Sequence, residues 1–382
     1  MYDPDSSVAT PRLRRSAISN SNQPQATSSD FRPRSSKPLL SVPWPLSSET
    51  MLRLKLYYHA KPFLPWCLRM ATRRFFAKRK RIRYSGSWPI DPLSGSAPEG
   101  WKGWPSGAAF AFALSHDVET QIGYDKLDKL VEIEEQLGFR SVINFIPEGE
   151  YRVSEKRIQE LKDRGFEVGV HGLCHDGKLY NNRDTFQRRA KRINQYLKNW
   201  GATGFRSPLM HHRLDWIHSL NISYDTSTFD TDPFEPQPDG VGTIFPLWVE
   251  RKIANPESLT ANQENQIGDQ RSAISGGNSK KPNGYVELPY TLPQDSTLFL
   301  LLHESSNAIW KEKTAWIAKQ GGMVFLNTHP DYIDFVGNGN ASSFPISYYT
   351  DFLKHVKETY AGQYWHATPD KVASYFVGLG DR

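Results

Sequence analysis

The chain has 382 residues, 38% of them hydrophobic and 13% aromatic, a supply that sustains a substantial core and excludes wholesale disorder. It contains no run of about 18 apolar residues that would make a spanning helix. Two cysteines, Cys67 and Cys174, are too few for a disulfide framework. The net charge of +6 comes from one short stretch, because residues 51–83 hold eleven Lys/Arg and no acid, whereas residues 84–382 hold 30 basic and 37 acidic groups. That mildly acidic body argues against a nucleic-acid partner.

Residues 1–50 are rich in Ser, Pro, Asn and Gln and have no period, which predicts a disordered N-terminal extension. Arg12, Arg14 and Arg15 are not followed by an apolar run, so no secretory signal is expected and a cytoplasmic location follows. Residues 51–83 interleave aromatic and basic side chains, and Pro62 and Pro65 break them into two halves. The second half sets Trp66, Met70 and Phe75 against Arg69, Arg73 and Arg74. This basic amphipathic pattern suits peripheral contact with an anionic membrane at its inner face. It equally suits a basic arm whose aromatics pack on the main domain.

Farther along, AAFAFALSHDVE (108–119) reads as a buried strand. A helical face of Leu127, Leu130, Val131 and Leu137 follows, stopped by Gly138. RSVINFIP (140–147) is a second strand, and residues 154–165 form a helix with Ser154 as its N-cap. FEVGVHG (166–172) is a third strand, residues 183–200 a long helix, GFRSP (204–208) a fourth strand and residues 212–220 a helix. ISYDTST (222–228) and GYVELPYTLP (284–293) read as strands, residues 307–322 as a helix, and GMVFLNTHP as the last strand. Strands alternating with helices predict a parallel α/β domain over residues 100–380. Residues 255–283 are polar and rich in Gly and Asn, and are expected to form a mobile insertion.

Polar, chemically capable residues collect at the C-terminal ends of five of these strands: SHDVE, HGLCH, FRSP, YDTS and NTHP. In α/β barrels that end carries the active site. In HGLCH, His171 and His175 can share a cation if the chain bends at Gly172, and alternation makes Cys174 a packing thiol pointing elsewhere. In SHDVE, residues two apart share a strand face, so Asp117 and Glu119 project together while His116 points away. One of the two acids can hold the metal and the other can take a proton from water.

These five motifs, in this order, resemble those of the polysaccharide deacetylases, the NodB-homology carbohydrate esterases, over about residues 105–375. The resemblance implies an α/β fold, a distorted (β/α) barrel of about seven strands, and a divalent metal, with Zn²⁺ the first choice. It implies Glu119, His171 and His175 as metal ligands and Asp117 as base. Arg206 would orient Asp117, and His329 would be the general acid. Relatives with adjacent aspartates would instead put Asp117 on the metal and leave His116 at the base position; the shared strand face favours the first register. Three positions depart from the family pattern. Gly172 stands where Ser or Thr is usual, Glu119 where Asp is commoner, and Leu209 where a Tyr follows the FRSP motif.

The activity implied is removal of acetyl groups from an amino sugar or acylated glycan, with a carbohydrate or glycoconjugate as partner. A cyclic amide or imide hydrolase on the same barrel and a non-catalytic glycan-binding protein are the alternatives. Trp248 and Tyr290, if exposed, are candidate platforms for sugar rings, although packing in the core is the commoner fate of such residues.

Overall fold

The structure is a computed structural model, and it describes residues 66–251, 283–337, 339 and 342–380. The extension read at 1–50, the first half of the basic segment and all of the 255–283 insertion except Asn283 lie outside the described residues.

Helix α1 (Trp66–Arg83) precedes a sheet of nine strands. In chain order these begin with β1 (Phe110–Val118), β2 (Val142–Phe145), β3 (Glu167–His171), β4 (Gly204–Arg206) and β5 (Tyr224–Asp225). β6 (Leu247–Glu250), β7 (Gly284–Glu287) and β8 (Met323–Thr328) follow. A separate two-stranded ribbon, β9 (Ile333–Asp334) with β10 (Phe344–Pro345), stands before the ninth strand, β11 (Tyr364–His366).

Seven strands run parallel in the spatial order β8-β1-β2-β3-β4-β5-β7. β11 pairs in parallel with the first residues of β1, and β6 pairs antiparallel with β7, so the expected seven strands become a mixed sheet of nine. The sheet curls on itself. Beyond β7, the N–H groups of Thr291 and Leu292 donate to the carbonyl of Phe325 in β8 at 3.0 and 3.1 Å. The result is a distorted (β/α) barrel. All nine residues of β1 are buried, as expected of a parallel strand covered on both faces.

Helices cover the outside. In α2 (Gln121–Leu137), Leu127, Leu130 and Val131 face the sheet, and Gly138 ends the helix in the left-handed region at φ 85°. Ser154 caps α3 (Glu155–Asp163) as expected, its side chain accepting from Arg157 N. Asn182 does the same for α4 (Arg183–Trp200), whose Phe186, Ile193 and Leu197 are buried. The helix read at 212–220 is a single turn, α5 (Leu214–Ile217). α6 (Ala308–Gln320), α7 (Ile346–Thr359) and α8 (Pro369–Gly380) complete the shell.

Candidate functional site

Alternation along β1 separates its polar residues. Asp117 points into the barrel, where it accepts from Arg206 Nε at 2.6 Å, Asn144 Nδ2 at 2.9 Å and Asn327 Nδ2 at 2.9 Å. His116 points to the helices instead, bonding Thr328 Oγ1 at 2.8 Å and Glu134 Oε1 of α2 at 2.7 Å. It does not join the polar cluster around Asp117. Burial pushes the Asp117 carboxyl up, but Arg206, then His171, His329 and the Asn144 bond outweigh it, holding the group well below the usual carboxylate range.

Glu119 lies one residue beyond the end of β1, on the same face as Asp117. Tyr332 Oη donates to its Oε2 at 2.8 Å, and its Oε1 lies 3.1 Å from His175 Nε2. His171 ends β3, and Gly172 turns the chain at φ 64°. A β-carbon at 172 would also lie 2.4 Å from Pro208 Cγ, so the position requires glycine both for its backbone and for its space. The turn brings the His175 ring to 5.5 Å, centroid to centroid, from that of His171. One ligand atom from each of Glu119, His171 and His175 lies within 4.8 Å of the other two, the one such three-residue group among the described residues.

The chemistry of this group fits a cation. His171 Nδ1 is 3.2 Å from the carbonyl of Arg206, which fixes that nitrogen as donor and leaves the lone pair on Nε2. His171 Nε2 is buried without a hydrogen-bond partner, and the buried His175 Nε2 faces Glu119 Oε1 at 3.1 Å. Burial lowers His171 to about 4, so its imidazole is neutral. His175 is drawn down by burial and raised by Glu119, with the net shift upward. Burial raises Glu119, but its bond to His175 and the charges of His329 and His175 win, bringing it down to about 2. Two imidazoles and a carboxylate form the donor set of many catalytic zinc sites.

His329, at the end of β8, closes the opposite side. Its Nδ1 and its backbone N–H both donate to the carboxylate of Asp295, each at 2.7 Å. Its Nε2 is left 3.8 Å from both Asp117 Oδ2 and Glu119 Oε1. Burial pulls the imidazole down, but the charge and hydrogen bond of Asp295 overcome it and push it up to about 10. His329 is therefore a charged donor at neutral pH. A cavity of about 340 Å³ opens over these groups, with Leu209, Met210, Phe234 and Tyr332 in its walls. Leu209 sits in the left-handed region at φ 58°.

All six expected residues meet at this cavity or line it: Asp117, Glu119, His171, His175 and His329 directly, and Arg206 behind Asp117. Cys174 packs against the apolar core, as alternation suggests. Tyr290 corrects an expectation. It is buried, not exposed, and its hydroxyl donates to Glu235 at 2.7 Å, because the chain after β7 turns inward to close the barrel. Trp248 is partly exposed on β6 and does not line the cavity. The sequence reading missed Asp295, Asn144, Asn327 and Tyr332 as site residues. Asn144 carried a signal, as the one polar residue in the otherwise apolar strand VINF. Asp295 carried none.

No family model matches the chain, and no curated protein does. Solved structures do. One assigned as a polysaccharide deacetylase, from Mycobacterium smegmatis, superposes with a TM-score of 0.51 at 15% identity, covering 75% of this chain and 96% of its own. Puue allantoinase gives 0.51 at 12% identity, with 76% and 98% covered. A Pseudomonas aeruginosa PAO1 protein assigned as a polysaccharide deacetylase gives 0.51 at 11%, again with 76% and 98% covered. At such identities the likeness is one of fold, and the chain has the distorted (β/α) barrel shared by these polysaccharide deacetylases and Puue allantoinase.

Proposed function

We propose that this chain is a metal-dependent hydrolase that removes acetyl groups from an amino sugar or acylated glycan. One observation carries the reading: a two-histidine, one-carboxylate group lies between a carboxylate held ionised by Arg206 and an imidazolium held by Asp295. When bound by Glu119, His171 and His175, a divalent metal, Zn²⁺ by its donor set, supplies Lewis acidity toward an amide carbonyl and acidifies water. Asp117 accepts the proton of the attacking water, and Arg206 keeps it ionised and oriented. His329 Nε2 delivers a proton to the departing nitrogen, and Asp295 holds that ring in register. Asn144 and Asn327 fix the Asp117 carboxylate from either side.

The test is metal content together with acetate release from N-acetylglucosamine oligomers. Purified protein is expected to hold one equivalent of metal, and His171→Ala with His175→Ala to hold none. Full retention in the double variant removes the site. Protein that binds glycan but no metal supports the non-catalytic alternative.

Hydrolysis of a cyclic amide is the second reading, favoured by the equal superposition of Puue allantoinase. Ring opening of small imides without acetate release from the oligomers decides for it.

A further inference from the structure

We propose that the outward face of α1 is a docking surface for an anionic lipid bilayer, and that it holds the barrel beside the membrane with the cavity within reach of the same helix, so that the substrate is a lipid-anchored glycan. The substrate clause rests on the deacetylase reading above; the docking clause does not. Helix α1 carries eight Lys/Arg and no acid. One side is fixed to the barrel. Ala77 is 4% exposed, Arg74 Nη2 donates to the Leu300 carbonyl at 3.2 Å, and Arg81 pairs with Glu304.

The helical repeat of about 100° per residue puts Phe75, Arg79 and Ile82 in one arc on the other side, flanked by Lys78, Phe76 and Arg83. Phe75, Phe76 and Ile82 are 52%, 60% and 77% exposed. The Arg79 guanidinium lies 4.4 Å over the Phe75 ring. Apolar side chains left in water beside basic ones suit the interface of an anionic bilayer, where the rings enter the headgroup boundary and the charges meet phosphates.

The same helix reaches the site. Arg73 lines the cavity together with Leu300, the residue that anchors Arg74. Among the described residues no carboxylate pairs with Arg73, which leaves its guanidinium available to a phosphate linking the glycan to its lipid. No helix of the described residues is long and apolar enough to cross a membrane, so the contact is one of surface docking. The exposed apolar triplet and the acidic body favour lipid over RNA as the partner of the basic residues.

The experiment uses the full chain with vesicles of phosphatidylcholine, alone or mixed with phosphatidylglycerol, at low and high salt. Binding is expected only to the mixed vesicles, weakening as salt screens the charges. Phe75→Ser/Phe76→Ser/Ile82→Ser should abolish it, and Lys78→Gln/Arg79→Gln/Arg83→Gln should weaken it on the order of a hundredfold. Absence of binding by the native chain, binding indifferent to both variants, or preference for single-stranded RNA overturns the docking surface.

N-acetylglucosamine joined through phosphate to a polyprenol, embedded in the same vesicles, tests the substrate. The apolar variant should release acetate from it more slowly, on the order of tenfold, while keeping its rate on soluble oligomers. Equal loss or no loss on both substrates overturns the substrate clause. Vesicle binding with no acetate release from either substrate overturns the deacetylase reading and leaves the docking surface standing.

Discussion

At position 172 a β-carbon would collide with Pro208, and the backbone lies where L side chains are strained. Gly172→Ser, which introduces a residue type usual at this place in the polysaccharide deacetylase motifs that the sequence resembles, should destabilise the protein by about 1–3 kcal/mol in urea denaturation and weaken metal binding through displacement of His171 and His175. Unchanged stability would show that Pro208 yields freely. Asp117 and Glu119 divide by their partners. Asp117→Asn should retain metal while losing turnover, on the order of 10²–10⁴-fold. It should also lose stability, because Arg206 is left buried without its counter-charge. Glu119→Gln should lose metal and turnover together. Metal loss from the Asp117 variant alone would reverse the two roles. The common inward face of these acids was legible in the sequence, since it follows from the two-residue period of a strand. That Asn144 and Asn327 would both bond Asp117 was not, because each comes from another strand.

Among the elements, helices with local signals were the readable ones. Ser154 before α3, Gly138 after α2 and the apolar stripe of α4 all act within a few residues, so their meaning does not depend on the rest of the fold. The Asn182 side chain accepts from Thr185 N at 2.8 Å, and Asn182→Ala should cost about 1 kcal/mol by thermal or urea unfolding. A change below a few tenths would mean that water replaces the cap. By contrast α7 opens on Ile346, Tyr348, Tyr349 and Thr350, which are middling helix formers, and Pro345 offers no side-chain cap. Its helicity comes from the burial of Tyr349, Phe352, Leu353 and Val356 against the barrel. β11, at three residues, is held by β1 and carries too short a pattern to read, whereas the two residues of β5 fall within the strand read at 222–228.

At the scale of the whole molecule, Lys313 of α6 and Asp230, just beyond β5, form a buried pair at 2.7 Å. Burial raises the Asp230 carboxyl against the pull of Lys313, to about 6. A raised acid is ionised at a cost to the folded state, so its contribution to stability falls as pH rises from the ordinary aspartate range through about 6. Lys313→Met should therefore destabilise by about 3–5 kcal/mol at neutral pH, where Asp230 loses its counter-charge and must either stay ionised alone or take up a proton. The loss should shrink at acid pH, where the carboxyl is neutral; urea midpoints on both sides of about pH 6 test this, and an equal loss on both sides contradicts it.

The sequence by itself determined the alternation of strands and helices, the inward face of each strand and the gathering of polar motifs at one end, because these depend on covalent periods of two and 3.6 residues. Only the tertiary structure decided which polar groups meet. Asn327 reaches Asp117 across 210 positions because β8 lies beside β1. Asp295 reaches His329 because the chain after β7 closes onto β8. Such a register is set by closing a curled sheet around its core, and no local pattern encodes it.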